Sequence, residues 1–144
     1  MSENSLASFE EVIGYTFKNI KFLKIALTHK SYIDEHPTYE SNQRYEFLGD
    51  AILDFDLTNY LFNKYPDLEE GSLTKIRSSA VNQAALVSLG HKISIGTYLY
   101  LSKPEESTGG RMKDSIVEDA VEALIAALFF DGGLDTVNDF VSKY

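Results

Sequence analysis

The chain has 144 residues, 44% of them hydrophobic, which is enough for one domain with its own core and short for two. It has no cysteine, so disulfides and thiolate metal sites are excluded. Its net charge of −9 argues against a nucleic-acid partner held by charge alone, and argues less if the acids gather where divalent cations bind.

The N-terminus, "MSENSLASFEEVIG", has neither a basic n-region nor an apolar h-region, so no signal peptide is expected. Residues 5–13 read as a short helix with a Ser cap. "NIKFLKIALTHKSY" (19–32) places Ile20, Leu23 and Leu27 at helical spacing, and "IDEHPTYESN" (33–42) reads as a polar loop broken by Pro37. Ser41 or Asn42 can cap a helix over 43–64, which Pro66 stops. A turn at Gly71 is then expected, followed by one helix from Ser72 to a C′ residue at Gly90. "HKISIGTYLYL" (91–101) reads as a short helix or irregular segment rather than a strand, and 102–113 as a loop. The helix at 114–130 is ended by "DGG", and a last short helix covers 134–143. The longest apolar stretch, 120–130, is too short to span a bilayer and carries Glu122, so no membrane is expected. The pattern predicts a single all-α domain over 1–144.

Two helices carry acids where core residues belong. In the helix at 43–64, Glu46 and Asp50 lie about 40° apart on the helical wheel. Leu53, Leu57, Tyr60 and Leu61 share their sector. Other apolar residues spread so widely around the helix that it is expected to be largely buried, with Asp54 and Asp56 as interruptions. Gly49 suggests a close approach by another backbone. In the helix at 114–130, Asp119 and Glu122 are three residues apart and share a sector with Ser115, Ala126 and Phe130. An uncompensated ion in a core costs on the order of several kcal/mol, so these acids need partners. Lys64 shares the Glu46 sector only at the far end of the helix, and Arg44 and Lys113 point away from the acids. A salt-bridge network is one solution. A hard divalent cation held by Glu46, Asp50, Asp119 and Glu122 is the other.

"YEFLGDAIL" (45–53) resembles the signature of the ribonuclease III endonuclease domain, and "SIVEDAVEALIAALFFDGG" (115–133) resembles the second acidic helix of that family. "ALTHKSY", "YPDLEEGSLTKIRSSAV", "LGHKISIGTYLYLS" and "GGRMKDSI" follow in the family's order, so the resemblance covers essentially the whole chain. It implies a compact helical domain, paired as a homodimer, that cuts double-stranded RNA with Mg²⁺, Mn²⁺ substituting. The family's metal-binding carboxylates carry over to Glu46, Asp50, Asp119 and Glu122, with Asp50 and Glu122 the most critical to catalysis. Each half of the pair cuts one strand, leaving 5′-phosphate and 3′-hydroxyl ends with a short 3′ overhang. Phe47 would be a knob into the partner.

The resemblance also marks departures. Many members have Glu where this chain has Gln43, in a position near the cleavage valley; Glu70, another valley acid, is kept. Lys75, Arg77, Lys103, Arg111 and Lys113 are candidate RNA contacts on the rims. Most bacterial members add a double-stranded-RNA-binding domain after the endonuclease domain, and residues 1–144 are read as a cut piece, part of a Dicer-like protein or a stand-alone domain. Without the extra domain, weak, salt-sensitive RNA affinity is expected. The location expected is cytoplasmic, or nuclear in a eukaryote.

Plainer readings stand beside these. Phe47 is equally a core residue, Gln43 a solvated one, and Glu70 an acid favoured at a helix N-terminus. The basic residues serve equally as surface charges. His29, His36 and His91 are assigned no metal role, and Gly109–Gly110 is a turn rather than a phosphate loop. Two other functions compete with the nuclease. One is a catalytically impaired relative that binds RNA or serves as a dimerisation scaffold, disfavoured because all four acids are present. The other is a carboxylate-bridged di-iron bundle, disfavoured because no His has a Glu three residues before it.

Overall fold

The computed structural model describes residues 3–144, and it is built from helices around one central helix. The helices are α1 (Glu3–Ile13), α2 (Ile20–Ala26), α3 (Lys30–Glu35), α4 (Gln43–Lys64), α5 (Glu70–Ala80), α6 (Gln83–Lys92), α7 (Lys103–Ser107) and α8 (Asp114–Lys143). Short 3₁₀ turns cover Ile95–Tyr98 and Gly110–Met112. The all-α class expected from the pattern is therefore what forms; the only β-type pairing among the described residues is an isolated bridge between Thr28 and Tyr100.

α8 is central because it is apolar all round. Residues 120–128 are all buried, and α2, α4 and α6 pack around them. Ala120, Ala123, Ala126 and Ala127 have no exposed surface, and their small side chains let neighbouring helices come close. The "DGG" stop is a sharp bend: Gly133 sits at φ 76°, ψ −173°, and helix resumes beyond it. Just before the bend, Asp131 accepts hydrogen bonds from the Tyr15 hydroxyl (2.5 Å) and from the backbone N–H groups of Lys18 and Asn19 (both 2.9 Å). This ties the approach to α2 onto α8. α1 seals the core with Leu6, Phe9 and Ile13.

Several expected boundaries move. α1 starts at Glu3, so Ser5 lies inside it and its cap falls outside the described residues. The single helix expected at 19–32 is two. Asn19 caps α2, then Leu27–His29 break away to pair with Tyr100, whose N–H donates to the Leu27 carbonyl at 2.8 Å. The Asn42 side chain donates to the Ala26 carbonyl at 3.0 Å instead of capping α4. His29 instead caps α3, its Nδ1 accepting from the Ser31 N–H at 3.1 Å, and α3 runs into the expected 33–42 loop. The single helix expected from Ser72 to Gly90 is also two. It breaks at Val81–Asn82, where the Asn82 side chain accepts from the Ala85 N–H at 2.9 Å and starts α6. Gly71 and Gly90 lie within helices rather than turns. The 102–113 segment holds α7, started by a Ser102 cap.

α4 departs most from expectation. Its bounds are those read from the sequence, but it is only half-buried. Phe47 is 80% exposed, Phe55 57% and Phe62 70%. The wide apolar surface therefore divides into a stripe on the core and a second stripe that no other described residue covers.

Candidate metal centre

The crossing of α4 over α8 builds the site. A Cβ added to Gly49 would collide with the backbone carbonyl of Glu122. Only glycine lets the two helices approach this closely, and the carboxylates flank that point: Glu46 and Asp50 on α4, Asp119 and Glu122 on α8.

Glu46, Asp119 and Glu122 converge, each offering a carboxylate oxygen within 4.8 Å of the others. Glu122 is only 4% exposed, whereas Glu46 and Asp119 are half-buried. Asp50 is not part of this triplet. It lies on the exposed rim and hydrogen-bonds the Glu122 carboxyl. The four acids thus form three converging ligands with a fourth at the edge, rather than the single four-ligand cluster expected.

The electrostatics show what the cluster costs. Burial, then the hydrogen bond and charge of Asp50, then the charges of Glu118 and Glu46, push the Glu122 carboxyl up to about 9. Burial, then the charges of Glu46 and Glu118, push Asp119 up to about 6, against an opposing pull from Lys30. No ion pair reaches any of the four acids among the described residues. The three ion pairs there join Arg77 to Asp54, Arg111 to Glu106 and Lys113 to Glu105. The salt-bridge alternative therefore has no geometric support. The donor set fits a hard divalent cation. It offers only carboxylate oxygens, and all three lie within 4.8 Å of one another.

Glu118 and Lys30 went unread in the sequence. Glu118 follows the pattern of an ordinary surface acid beside Asp119, and Lys30 is brought to the site by a break between α2 and α3 that no Pro or Gly announces.

The other candidate residues lie elsewhere. Gln43, Glu70, Lys75 and Lys103 are exposed, and Glu70 accepts from the Thr74 hydroxyl at 3.0 Å in the first turn of α5. Three basic residues proposed as RNA contacts are held by the fold. Arg77 pairs with Asp54 at 3.4 Å and donates to the Thr58 hydroxyl at 3.0 Å. Arg111 donates to the carbonyls of Gly96 (3.1 Å), Thr97 (3.4 Å) and Leu99 (2.7 Å) and pairs with Glu106 at 3.0 Å. Lys113 pairs with Glu105 at 2.8 Å. Phe47 is not a core residue of this chain, since its side chain stands in solvent.

The class of protein is an all-helical domain with an acidic cluster, able to hold a metal ion, where two core helices cross. Comparison with known proteins then gives the lineage: a family profile described as Ribonuclease-III-like matches residues 19–144, and the chain belongs to that family. Ribonuclease 3 of Bacillus velezensis is 47% identical over 138 residues, covering 94% of this chain and 55% of that protein. Ribonuclease 3 of Listeria monocytogenes is 41% identical over 142 residues, covering 97% and 62%. The chain thus spans little more than half the length of these relatives. The nuclease domain of ribonuclease III from Campylobacter jejuni, described with a flexible region involved in dimer formation, superposes with a TM-score of 0.88 at 35% identity, covering 96% of this chain and 94% of that one. Dicer from Pichia stipitis superposes at 0.63 with 25% identity, covering 88% and 53%. No helix among the described residues is long and apolar enough to cross a membrane.

Proposed function

We propose that residues 1–144 form one endonuclease domain that hydrolyses double-stranded RNA with Mg²⁺, Mn²⁺ substituting. The observation that carries this reading is the convergence of Glu46, Asp119 and Glu122 with no ion pair to any of them among the described residues. Family membership and the matched Ribonuclease 3 relatives support it. The location proposed is cytoplasmic.

Glu46, Asp119 and Glu122 would hold the ion, and Asp50 would complete the site from the rim. When bound, the ion supplies Lewis acidity toward a phosphoryl oxygen and the attacking water. Glu122 would hold the ion as a carboxylate, since burial and the neighbouring acids that raise its pKa are what a cation would offset. Asp50, exposed and beside Glu122, would orient the attacking water and accept its proton. Water adds to phosphorus, the bond to the 3′-oxygen breaks, and that oxygen takes up a proton. The products are a 5′-phosphate and a 3′-hydroxyl.

A short 3′ overhang requires two such sites set across the duplex. The uncovered stripe of Phe47, Phe55 and Phe62 supports a homodimer joined through α4, with Phe47 as the knob. The exposed Lys75 and Lys103 would meet RNA phosphates, and the exposed Gln43 and Glu70 its hydroxyls.

The test is incubation with long double-stranded RNA at low salt in Mg²⁺, beside Ca²⁺ and Glu122→Gln controls. Short products with 3′ overhangs, formed only with Mg²⁺ and the intact acid, support the reading. RNA that binds yet stays intact under every metal condition points instead to a binding or dimerisation scaffold.

A further inference from the structure

On the flank of α4, about 9 Å along its axis from Asp50, lies a second acid that the metal centre does not use. Asp56 is only 8% exposed, and its carboxylate has no hydrogen bond or ion pair among the described residues. It lines a half-open cavity of about 520 Å³ between α4, α6 and the last turns of α8. Leu53, Leu57, Leu86, Leu89 and Val141 form much of the wall. Its carboxylate keeps contact with solvent through the open side of the cavity, and burial of the residue holds the carboxyl above its usual range. The volume falls within the ordinary span of small-molecule sites, and an apolar wall with one polar anchor is their usual chemistry.

We propose that this cavity binds a small organic ammonium ion, with its amine on Asp56 and its apolar body along the leucines. The charge pattern selects the class further. Lys92 also lines the cavity, is exposed, and forms no ion pair with Asp56. A second positive charge on the ligand would meet it. The site therefore suits a monocation whose far end is neutral or negative, and disfavours a diamine. This holds whether or not the chain cleaves RNA.

The probe is n-hexylamine, titrated into the protein while methyl NMR signals of Leu53, Leu89 and Val141 are followed, with 1-hexanol and 1,6-diaminohexane in parallel. The expected result is saturable shifts at those methyls, with hexanol and the diamine weaker. Asp56→Asn keeps the side-chain shape and is expected to bind hexylamine about tenfold more weakly or worse, as loss of a charge-assisted hydrogen bond requires. Lys92→Gln is expected to bind at least as well as wild type and to tolerate the diamine. The proposal is overturned if hexanol binds as tightly as hexylamine, if Asp56→Asn leaves affinity unchanged, or if the shifts fall elsewhere. It is also overturned if hexylamine binds only once Lys92 is replaced, because Lys92 would then already occupy Asp56.

Discussion

Glu122→Gln separates what Glu122 costs the fold from what it does for a metal. The carboxyl is raised from 4.5 to about 9 in the metal-free protein. Between those values the folded state keeps a proton that the unfolded chain releases. Stability from this group is therefore complete below pH 4.5, declines as pH rises, and levels off above about 9. At pH 7 the deficit is on the order of 3 kcal/mol. Glutamine removes the titration and can still hydrogen-bond Asp50. In a chelator, the variant should melt above wild type at pH 7 by roughly 6–12 °C. The gap should close toward pH 4.5 and widen toward 9. Added Mg²⁺ should raise the wild-type melting temperature by mass action and leave the variant unmoved. Thermal melts followed by circular dichroism across pH, with and without Mg²⁺, provide the readout. A variant that melts below wild type at pH 7 in chelator would refute the reasoning, because Glu122 would then have a cationic partner that the described geometry lacks.

Gly49→Ala should destabilise by about 3 kcal/mol or more, since the new methyl meets the Glu122 backbone rather than a yielding side chain; urea denaturation measures it. Phe47→Ala should change monomer stability by less than about 0.5 kcal/mol because the ring is solvated. In sedimentation equilibrium, however, it should shift the proposed dimer toward monomer. Arg111→Ala should cost about 2–3 kcal/mol in denaturant melts, because three backbone carbonyls lose a charged donor. The salt dependence of RNA binding should be unchanged by it, whereas Lys75→Ala should flatten that slope by about one unit.

The sequence was most readable where its signals are local. α4 begins after Asn42 and ends before Pro66 as expected, and the carboxylate spacings on both acidic helices place them on shared faces. The breaks at Leu27–His29 and Val81–Asn82 went unread for different reasons. The first is made by pairing with Tyr100, more than seventy residues away, which no local pattern encodes. The second carries a local mark, Asn82 ahead of "QAAL", hidden by apolar residues that continue helical spacing across the gap. Gly90 looks like a stop but lies inside α6, packed against Val117. On α4, the wide apolar spread suggested a largely buried helix, without a sign that Phe47, Phe55 and Phe62 would stay exposed. The displacement of Asp50 to the rim depends on how α4 and α8 cross, and that is set by contacts along both helices.

The contact at Gly49 also acts as a fulcrum. Glu46 lies one turn from it, about 4.5 Å along the axis, so tilting α4 by 10° about that point would carry the base of Glu46 roughly 0.8 Å. Mg²⁺ and Ca²⁺ differ in their oxygen distances by only about 0.2–0.6 Å. Backbone packed on backbone at Gly49, with no side chain between to compress, resists that tilt. For the proposed ion, the residue with no side chain would thereby set the gauge of the site.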